Sequence, residues 1–276
     1  MFDYHIHSDW SFDAEDSTES IVSEASQAGL AEICFTEHIE PGHPYGFEWD
    51  GFIDFKSYAE EIQKLRKKYP GIEIRTGLEL GLTKDTLTQT RKYVAGLNLD
   101  FIIASQHIVR GLDPYFPEYF EGKTKKEAEE LYLQTLLHCL RGFEPYSVVG
   151  HIGYVSKNSP FHAPLCYEDY ADLIDEILKE AIQTGHGIEV NTSTYGVFSD
   201  PMPSPDIIRR YLQLGGEIIT IGSDAHLKER VGGNFSDALD LLRSLDAKYV
   251  CTFENLKPVF HPIAPLNDFS QVYRPL

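Results

Sequence analysis

The residues of this chain that could do chemistry begin with two histidines near its start, His5 and His7. They lie in the segment 2–8, which we predict to be a β-strand. A strand sends alternate side chains to one face, so both imidazoles point the same way, with Ile6 opposite. Two neutral imidazoles about 6–7 Å apart can bind one metal ion from a single rigid element. The alternative is an exposed strand face that carries two hydrogen-bonded histidines.

Nitrogen and carboxylate groups follow at further predicted strand ends, six ends in all. A lone histidine is usually a hydrogen-bonded polar residue. To explain all six strand ends in this way, six independent coincidences would be needed. Their shared position predicts a multinuclear site for divalent metal ions. The strand-end residues are His5 and His7, His38, Glu79, His107, His151, Asp224 and His226.

Short apolar runs alternate with helix-like segments along the chain, a pattern typical of a parallel sheet with outer helices. Seven such units predict a closed or nearly closed barrel with its chemistry at the C-terminal strand ends, and an open doubly wound sheet is the alternative. We found no repeat or long linker, so we expect one domain over residues 1–276. The predicted strands are 2–8, 33–36, 73–78, 101–105, 147–150, 187–190 and 217–221.

Several helix boundaries are marked by their capping residues. Ser17, Asp54 and Ser204 are predicted N-caps, and Thr124 begins a capping box. We predict a third helix near 85–94 and a last helix beginning near Ser236. The second strand is followed by a long aromatic loop, and the chain closes with a Pro-rich tail. The loop contains His43, Tyr45, Phe47 and Trp49.

Composition excludes some partners. The formal net charge of −19, from 43 acidic and 24 basic residues, repels a nucleic-acid backbone. Four scattered cysteines without a Cys-x-x-Cys pair argue against a disulfide scaffold or a cysteine zinc site. No leader or membrane-length apolar run is seen, so we expect a soluble, cytoplasmic protein. The oligomeric state stays open.

Six segments together resemble the polymerase and histidinol phosphatase (PHP) domain family. They occur in the family's order across essentially the whole chain, and the segment PYFPEYFEGKTKKEAEELYLQTL is similar to that of the histidinol-phosphate phosphatases. The resemblance implies a distorted (β/α)7 barrel, TIM-like, with a trinuclear metal centre. The six segments are DYHIHSDWSFDA, ICFTEHIE, GLELGL, ASQHIV, VVGHIGY and GSDAHL.

The resemblance also implies which residues bind two to three divalent ions, zinc, manganese or iron. A carboxylate shared by two cations lowers their mutual repulsion, and Glu79 would be that bridge. Asp13 has acidic neighbours in a loop that could simply be solvated, but the family carries His or Asp eight residues after its first histidine. The implied sites are His5, His7, Glu79 and Asp224 for the first ion, Glu79, His107 and His151 for the second, and Asp13, His38 and His226 for the third.

Phosphate recognition is where the chain departs from the resemblance. We expect arginines in loops after the later strands, but the loop after strand five offers Lys157, which binds phosphate as a point charge without a guanidinium fork. Arg110 and Arg230 are alternative cations that are more often surface residues. Asn191 and His43 are further candidates for contact with substrate.

The chain is therefore expected to be a metal-dependent phosphomonoesterase, and the resemblance points to L-histidinol phosphate. A hydroxide bridging two metals would attack phosphorus, with Glu79 as the bridging carboxylate, and Asp224 or His226 would pass a proton to the leaving alkoxide. Alternatives are a phosphoesterase acting on nucleotides or oligonucleotides, an amidohydrolase and a non-catalytic scaffold. The absence of a metal-bridging lysine at the end of strand four and of a basic stripe disfavours the amidohydrolase and the nuclease.

Overall fold

Seven parallel strands and nine helices are present in the computed structural model, which describes residues 1–45 and 51–264. Phe47, Trp49 and the tail from 265 lie outside these ranges. The strands are β1 Phe2–Ile6, β2 Glu32–Ile39, β3 Glu73–Gly81, β4 Phe101–Ser105, β5 Val148–Val149, β6 Gly187–Asn191 and β7 Ile219–Gly222, with a separate hairpin of β8 Tyr249–Glu254 and β9 Lys257–Pro262. The helices are α1 Thr18–Gln27, α2 Phe55–Lys68, α3 Leu87–Val94, α4 Lys125–Arg141, α5 Tyr154–Lys157, α6 Ala171–Gln183, α7 Tyr195–Phe198, α8 Pro205–Gln213 and α9 Phe235–Ser244.

The seven strands follow one another in sequence order, each parallel to the next. The last strand returns to the first: Asp224 donates its backbone N–H to the His5 carbonyl at 2.8 Å, and His7 donates to the Ala225 carbonyl at 2.9 Å. This single stretch of pairing brings the sheet edges together into a nearly closed barrel. The predicted (β/α)7 barrel is confirmed, and the open doubly wound alternative, which needs a reversal of strand order, is wrong.

Alternation along the strands divides the side chains between the helices and the barrel interior. Ile102 and Ala104 of β4 belong to the large apolar core shared with the helices. Phe101 and Ile103 of the same strand join a smaller inner cluster with Tyr4 and other residues from inside the barrel. The interior is therefore filled by side chains at its lower end, which leaves polar chemistry to the opposite mouth.

The β8–β9 hairpin was not predicted, because we expected only a Pro-rich tail after the last helix. Phe253 of β8 enters the inner cluster, with its ring centroid 5.0 Å from that of Phe101. Its backbone N–H donates to the Tyr4 hydroxyl at 2.8 Å. Beyond β8, the N–H of Asn255 donates to the carboxylate of Asp100, just before β4. The hairpin thus closes the N-terminal end of the barrel.

Most predicted helix caps are confirmed. The side chains of Ser17, Asp54 and Thr124 accept hydrogen bonds from the first turns of α1, α2 and α4, and the Thr124 capping box is complete. Ser204 occupies the N-cap position of α8 but makes no capping hydrogen bond. Its hydroxyl donates instead to the Leu165 carbonyl at 2.7 Å, which ties the preceding loop to the helix.

One strand is shorter than predicted and another is longer. The fifth strand is only Val148–Val149, whereas the second extends to Ile39, so His38 lies within the strand and not beyond it. The third helix begins at Leu87, two residues after its predicted start. Within the described ranges, no helix combines the length and apolarity needed to cross a membrane.

Candidate metal centre

A cavity of about 400 Å³ lies at the C-terminal mouth of the barrel. The imidazoles of His5 and His7 lie beneath it and are fully buried. The other seven predicted metal ligands line its wall, so the strand ends deliver all nine to one place, as the fold requires. The seven wall residues are Asp13, His38, Glu79, His107, His151, Asp224 and His226.

The carboxylate of Glu79, projecting inward from β3, occupies the centre of this arrangement. Its Oε2 atom lies 3.2 Å from His5 Nε2 and 3.1 Å from His38 Nδ1. Its Oε1 atom lies 2.7 Å from His151 Nε2 and 3.4 Å from His107 Nε2. Each oxygen therefore faces a different set of imidazoles, which is the geometry a carboxylate needs to be shared between two cations.

Asp224 follows β7 and takes a left-handed backbone conformation with φ 54°, which Asp tolerates better than most residues. This conformation turns its side chain back over the first strand. Its Oδ1 atom lies 3.7 Å from His5 Nε2 and 3.5 Å from His7 Nε2. Its Oδ2 atom lies 3.3 Å from the ammonium of Lys157. Asp224 thus has one oxygen in the histidine cluster and one toward a cation of the cavity wall.

A third group forms at the outer rim from three separate elements. The Oδ2 atom of Asp13, in the loop after β1, lies 3.1 Å from His226 Nε2 and 3.5 Å from His38 Nε2. His226 has its Nδ1 atom 3.0 Å from the backbone carbonyl of Asp224, which can accept a hydrogen bond from that nitrogen. The Nδ1 atom then carries the hydrogen. The carboxylate of Asp13 only accepts, so Nε2 donates to it here and would give up that hydrogen to bind a cation.

Several buried nitrogen and oxygen atoms in the cluster lack a hydrogen-bond partner. Buried polar groups normally find one, so orphaned acceptors that converge on one point are suited to cations. Four groups of three side chains have ligand atoms within 4.8 Å of one another. The residues present therefore fit divalent metal ions. The unpartnered site atoms among the described residues are His5 Nε2, His7 Nε2, His38 Nδ1, Glu79 Oε2 and His151 Nδ1.

Carboxylates behind the cluster set the tautomers of two histidines. Glu189 Oε1 lies 2.5 Å from His5 Nδ1, and Glu40 Oε1 lies 2.6 Å from His107 Nδ1. Burial opposes ionisation of Glu40, but its contact with His107 outweighs that effect and lowers the pKa of Glu40 to about 2. Because a carboxylate oxygen accepts the hydrogen bond from an imidazole N–H, each Nδ1 carries the hydrogen and each Nε2 is turned toward the centre.

His7 is oriented by a hydroxyl in place of a carboxylate. Ser11 Oγ lies 3.2 Å from His7 Nδ1 and donates its own hydrogen to Glu37 Oε2 at 2.6 Å. Glu37 is fully buried and also accepts from the Ser8 hydroxyl at 2.6 Å. The loop after β1 is thereby attached to β2, and the Nε2 atom of His7 is directed at the centre.

Two glycines make room for the supporting carboxylates. A Cβ atom at Gly222 would overlap Glu189 Oε1 and His5 Cβ, and one at Gly81 would overlap the carboxylate of Glu40. Gly222 is the last residue of β7, and Gly81 is the last residue of β3. A larger residue at either place would displace a carboxylate that holds a histidine, so glycine is needed here for close approach.

The electrostatics of the cluster keep its acids ionised. Burial raises the pKa of a carboxyl group, but the neighbouring imidazoles, His5 foremost, outweigh it and hold the pKa of Glu79 well below its ordinary value. Burial also opposes ionisation of Asp224, yet the ammonium of Lys157 keeps the pKa of Asp224 well below its ordinary value. Burial lowers the pKa of His7, which favours the neutral imidazole that a metal requires.

Of the residues predicted to contact substrate, two line the cavity and three do not. Lys157, at the end of α5, and His43 both line the cavity. His43 is buried, not a surface-loop residue. Arg110 and Arg230 are exposed and lie outside the cavity wall. Asn191 is fully buried below the mouth, where its side chain oxygen accepts from the Ser193 hydroxyl at 2.7 Å.

Sequence reasoning missed several residues that line this cavity, Glu40, Asp113 and Tyr154 among them. Glu40 lies two positions after His38, one residue beyond the end of β2, so continued strand alternation was the available indication that both face inward. Asp113 and Tyr154 also line the cavity, and Asp113 is only 3% exposed. Asp113 lies in an irregular loop without periodicity, and Tyr154 opens a four-residue helix too short to produce a helical pattern.

This fold and site define a TIM-like barrel with a candidate multinuclear metal centre at its C-terminal mouth. The sequence matches the family model of the PHP domain over residues 3–193. A probable histidinol-phosphatase from Clostridium acetobutylicum is 33% identical over 264 residues, which cover 94% of this chain and 96% of that protein. A histidinol-phosphatase from Lactococcus lactis is 30% identical over 261 residues, covering 92% and 95%. The chain belongs to the PHP domain family, and the predicted membership is confirmed.

One solved structure extends the likeness to three dimensions. The histidinol phosphate phosphatase from Lactococcus lactis, crystallised with zinc, L-histidinol and phosphate, superimposes with a TM-score of 0.86 at 29% identity. The match covers 94% of this chain and 98% of that one. The similarity in three dimensions therefore extends over most of both chains.

Proposed function

We propose that this chain is a metal-dependent phosphomonoesterase that hydrolyses L-histidinol phosphate in histidine biosynthesis. We also propose that residues 1–276 form a single PHP-type barrel domain and that it works in the cytoplasm, where its four unpaired cysteines stay reduced. The observation that carries the proposal is the position of Glu79, whose two carboxylate oxygens face separate imidazole groups inside a cavity that also holds a lysine. Its relatives and its structural neighbour support the choice of substrate.

Two to three divalent ions, zinc, manganese or iron, would occupy the centre in this proposal. Glu79 would be shared between the first two, and the rim group would hold a third. The orphaned nitrogens and the ionised carboxylates support this distribution. The proposed ligands are His5, His7, Glu79 and Asp224 for the first ion, Glu79, His107 and His151 for the second, and Asp13, His38 and His226 for the third.

Divalent ions bound here would activate water for attack on phosphorus and neutralise charge on the phosphoryl oxygens. The chain's own residues supply the rest of the chemistry. Lys157 places an ammonium at the cavity wall, 3.3 Å from Asp224 Oδ2, where it can contact a phosphoryl oxygen. Asp224 and His226 are the two candidates to pass a proton to the leaving alkoxide, since both line the cavity. Asp224 is ionised, so it would first have to take that proton from the attacking water.

The organic end of the substrate would lie against the part of the cavity wall that contains Asp113. Asp113 is a buried carboxylate there, and its Oδ1 accepts from the Tyr115 N–H at 2.7 Å and the Tyr154 hydroxyl at 3.1 Å. Its Oδ2 lies 3.8 Å from His43 Nε2, too far for a hydrogen bond. The ring of Phe12 completes an aromatic wall around this acid. An anion among aromatic rings suits a cation such as the amino group of histidinol.

The test is a substrate panel with the metal-loaded protein. L-histidinol phosphate, nucleoside monophosphates, a cyclic phosphodiester, short oligonucleotides and an amide substrate are compared by kcat/KM. We expect L-histidinol phosphate to be hydrolysed at least tenfold more efficiently than the others. A preference for a nucleotide or oligonucleotide would overturn the substrate assignment, and amide hydrolysis alone would overturn the reaction class. Glu79→Gln, assayed in parallel, separates activity of this centre from a contaminating phosphatase.

A further inference from the structure

A buried acid outside the metal centre lies behind the loop that follows β5. Glu129, on α4, is only 2% exposed. Its Oε2 accepts from the Tyr170 hydroxyl at 2.7 Å and from the Lys125 ammonium at 2.9 Å. Its Oε1 accepts from the Ser156 hydroxyl at 3.2 Å. One carboxylate thus joins α4, the turn before α6 and the short helix α5.

The helix α5 is where that connection meets the cavity. It consists of Tyr154–Lys157, and both of its end residues line the cavity. A single helical turn has no stability of its own in water. Its N-cap residue, Gly153, has φ 121° and provides no side-chain cap. The position of α5 therefore depends on its tertiary contacts. Its end residues bond to Asp113 and Asp224, and its middle residues, Val155 and Ser156, are buried.

Burying the carboxylate of Glu129 costs desolvation free energy, which argues that this side chain does more than fill space. Taking a carboxylate out of water carries a penalty that an apolar side chain of similar volume avoids. Among the described residues, Lys125 is the charged group that pairs with Glu129, and it is itself 27% exposed and also lies 3.5 Å from Asp169. The directional bond to Ser156 is what an apolar residue could not supply.

We propose that Glu129 is a positioning residue that, through Ser156, fixes Lys157 at the height in the cavity where it contacts phosphate. The inference rests on the proposed phosphatase function and on its assignment of Lys157. Ser156 immediately precedes Lys157 in α5, so a rotation or shift of the serine moves the base of the lysine side chain with it. The flexible lysine stem would otherwise sample many rotamers and lose contact with the phosphoryl group.

The experiment measures the dissociation constant of inorganic phosphate for the metal-loaded protein by calorimetry, with kcat and KM for L-histidinol phosphate beside it. The variants are Lys157→Ala, Ser156→Ala and their combination. We expect Lys157→Ala to weaken phosphate binding about tenfold or more, and Ser156→Ala about three- to tenfold. The combination should be no weaker than Lys157→Ala alone, because the serine acts through the lysine. Metal content should stay unchanged in all three.

Controls separate positioning from general loss of structure. Ser147→Ala removes another buried hydroxyl, 3% exposed and bonded to the Ile102 N–H far from the cavity, and should leave phosphate binding unchanged. Glu129→Gln keeps an oxygen acceptor for Ser156 and should retain phosphate affinity within about threefold, whereas Glu129→Ala should match Ser156→Ala. Thermal unfolding of each variant shows whether the protein is folded under the conditions of the binding measurement.

Two results would overturn the inference. If Lys157→Ala weakens phosphate binding but Ser156→Ala does not, the serine and its carboxylate are only structural. If Lys157→Ala leaves phosphate binding unchanged, there is no phosphate contact to position. In that second case, hydrolysis of L-histidinol phosphate by the parent protein would still support the proposed function, so the two failures remain distinct.

Discussion

The Nδ1 atom of His5 lies 2.5 Å from Oε1 of Glu189, and the other oxygen of the same carboxylate accepts the backbone N–H of His151 at 2.7 Å. Glu189 is 1% exposed and projects inward from β6. It therefore orients one side chain of the cluster and anchors the backbone of another. A carboxylate behind a histidine fixes the tautomer of the imidazole and raises its basicity as a ligand.

Replacing Glu189 by Gln should weaken metal binding by about tenfold to a hundredfold. The amide oxygen can still accept from His5, but it carries no charge to raise the basicity of the imidazole. Metal content after dialysis against a graded chelator measures the effect. Glu73→Gln, an exposed position at the start of β3, is the matched control and should bind metal like the parent. Equal chelator resistance in the two variants would contradict this role of Glu189.

Glu79→Gln should reduce both metal content and activity, and more severely than Glu189→Gln. A neutral amide is a poor bridge between two cations, because its NH2 group has no lone pair to offer to the second one. Elemental analysis is expected to find at least one metal ion fewer per chain than in the parent, with kcat/KM reduced by about a hundredfold or more. Full occupancy together with full activity would show that Glu79 is not shared between metals.

The positions of most proposed ligands could be predicted because they follow from strand direction, whereas Asp13, in a loop, was assigned from the family resemblance. Parallel barrel strands end at one mouth, so His107 and His151, each just after a strand, had to meet there. The alternation that places His5 and His7 together is likewise local. Supporting groups are different, since the contact between Glu189 and His5 depends on strands far apart in the chain and on the space left by Gly222. That packing is a property of the folded barrel.

The missed hairpin has a specific cause in its turn. Asn255 and Leu256 both have positive φ, 51° and 62°, as expected for the central residues of a tight hairpin turn. Such turns are normally recognised by Asn-Gly or Asp-Gly. Leucine at this position carries no turn preference and is strained there. The alternating segment Tyr249–Glu254 was therefore not followed by a recognisable turn, and the nearby prolines suggested a tail.

Phe253→Ala should lower the free energy of unfolding by about 3–5 kcal/mol, because it leaves a cavity in the closed end of the barrel. The Phe253 side chain is 2% exposed and packs on Tyr4 and Phe101. Phe260→Ala, in the other strand of the hairpin and 43% exposed, is the control and should cost less than about 1 kcal/mol. Urea denaturation with constant metal gives both values. If both variants lose a similar free energy of unfolding, the buried packing of Phe253 does not stabilise the closed end of the barrel.

Lys157→Ala should reduce kcat/KM for L-histidinol phosphate by about tenfold to a thousandfold while metal content is retained. The lysine is a cation of the cavity wall, whereas Arg110 and Arg230 are exposed outside it. Arg110→Ala and Arg230→Ala are therefore the matched controls and should change kcat/KM less than about twofold. If either arginine variant loses more activity than Lys157→Ala, phosphate is bound by another route than the one we propose.

Asp175→Asn should make the protein less stable near neutral pH and should reduce its sensitivity to acid. The guanidinium of Arg210 contacts both oxygens of Asp175, at 2.7 and 2.6 Å, and joins α8 to α6. This pairing holds the pKa of Asp175 well below its ordinary value of about 4. The stabilisation is therefore complete above pH 4 and is lost as the pH falls through the depressed pKa.

We expect the thermal midpoint of Asp175→Asn to lie about 1–3 °C below that of the parent at pH 7, because the pair is partly exposed. The gap should stay constant down to about pH 4 and close as the pH is lowered further, since protonation then removes the ion pair from the parent as well. Asp85→Asn, at an exposed position outside the ion pairs of the described residues, is the control and should have the same thermal midpoint as the parent. A difference in thermal midpoint that widens as the pH falls below 4 would have the wrong sign for a carboxylate with a lowered pKa. The ion pair would then not be the source of the stability.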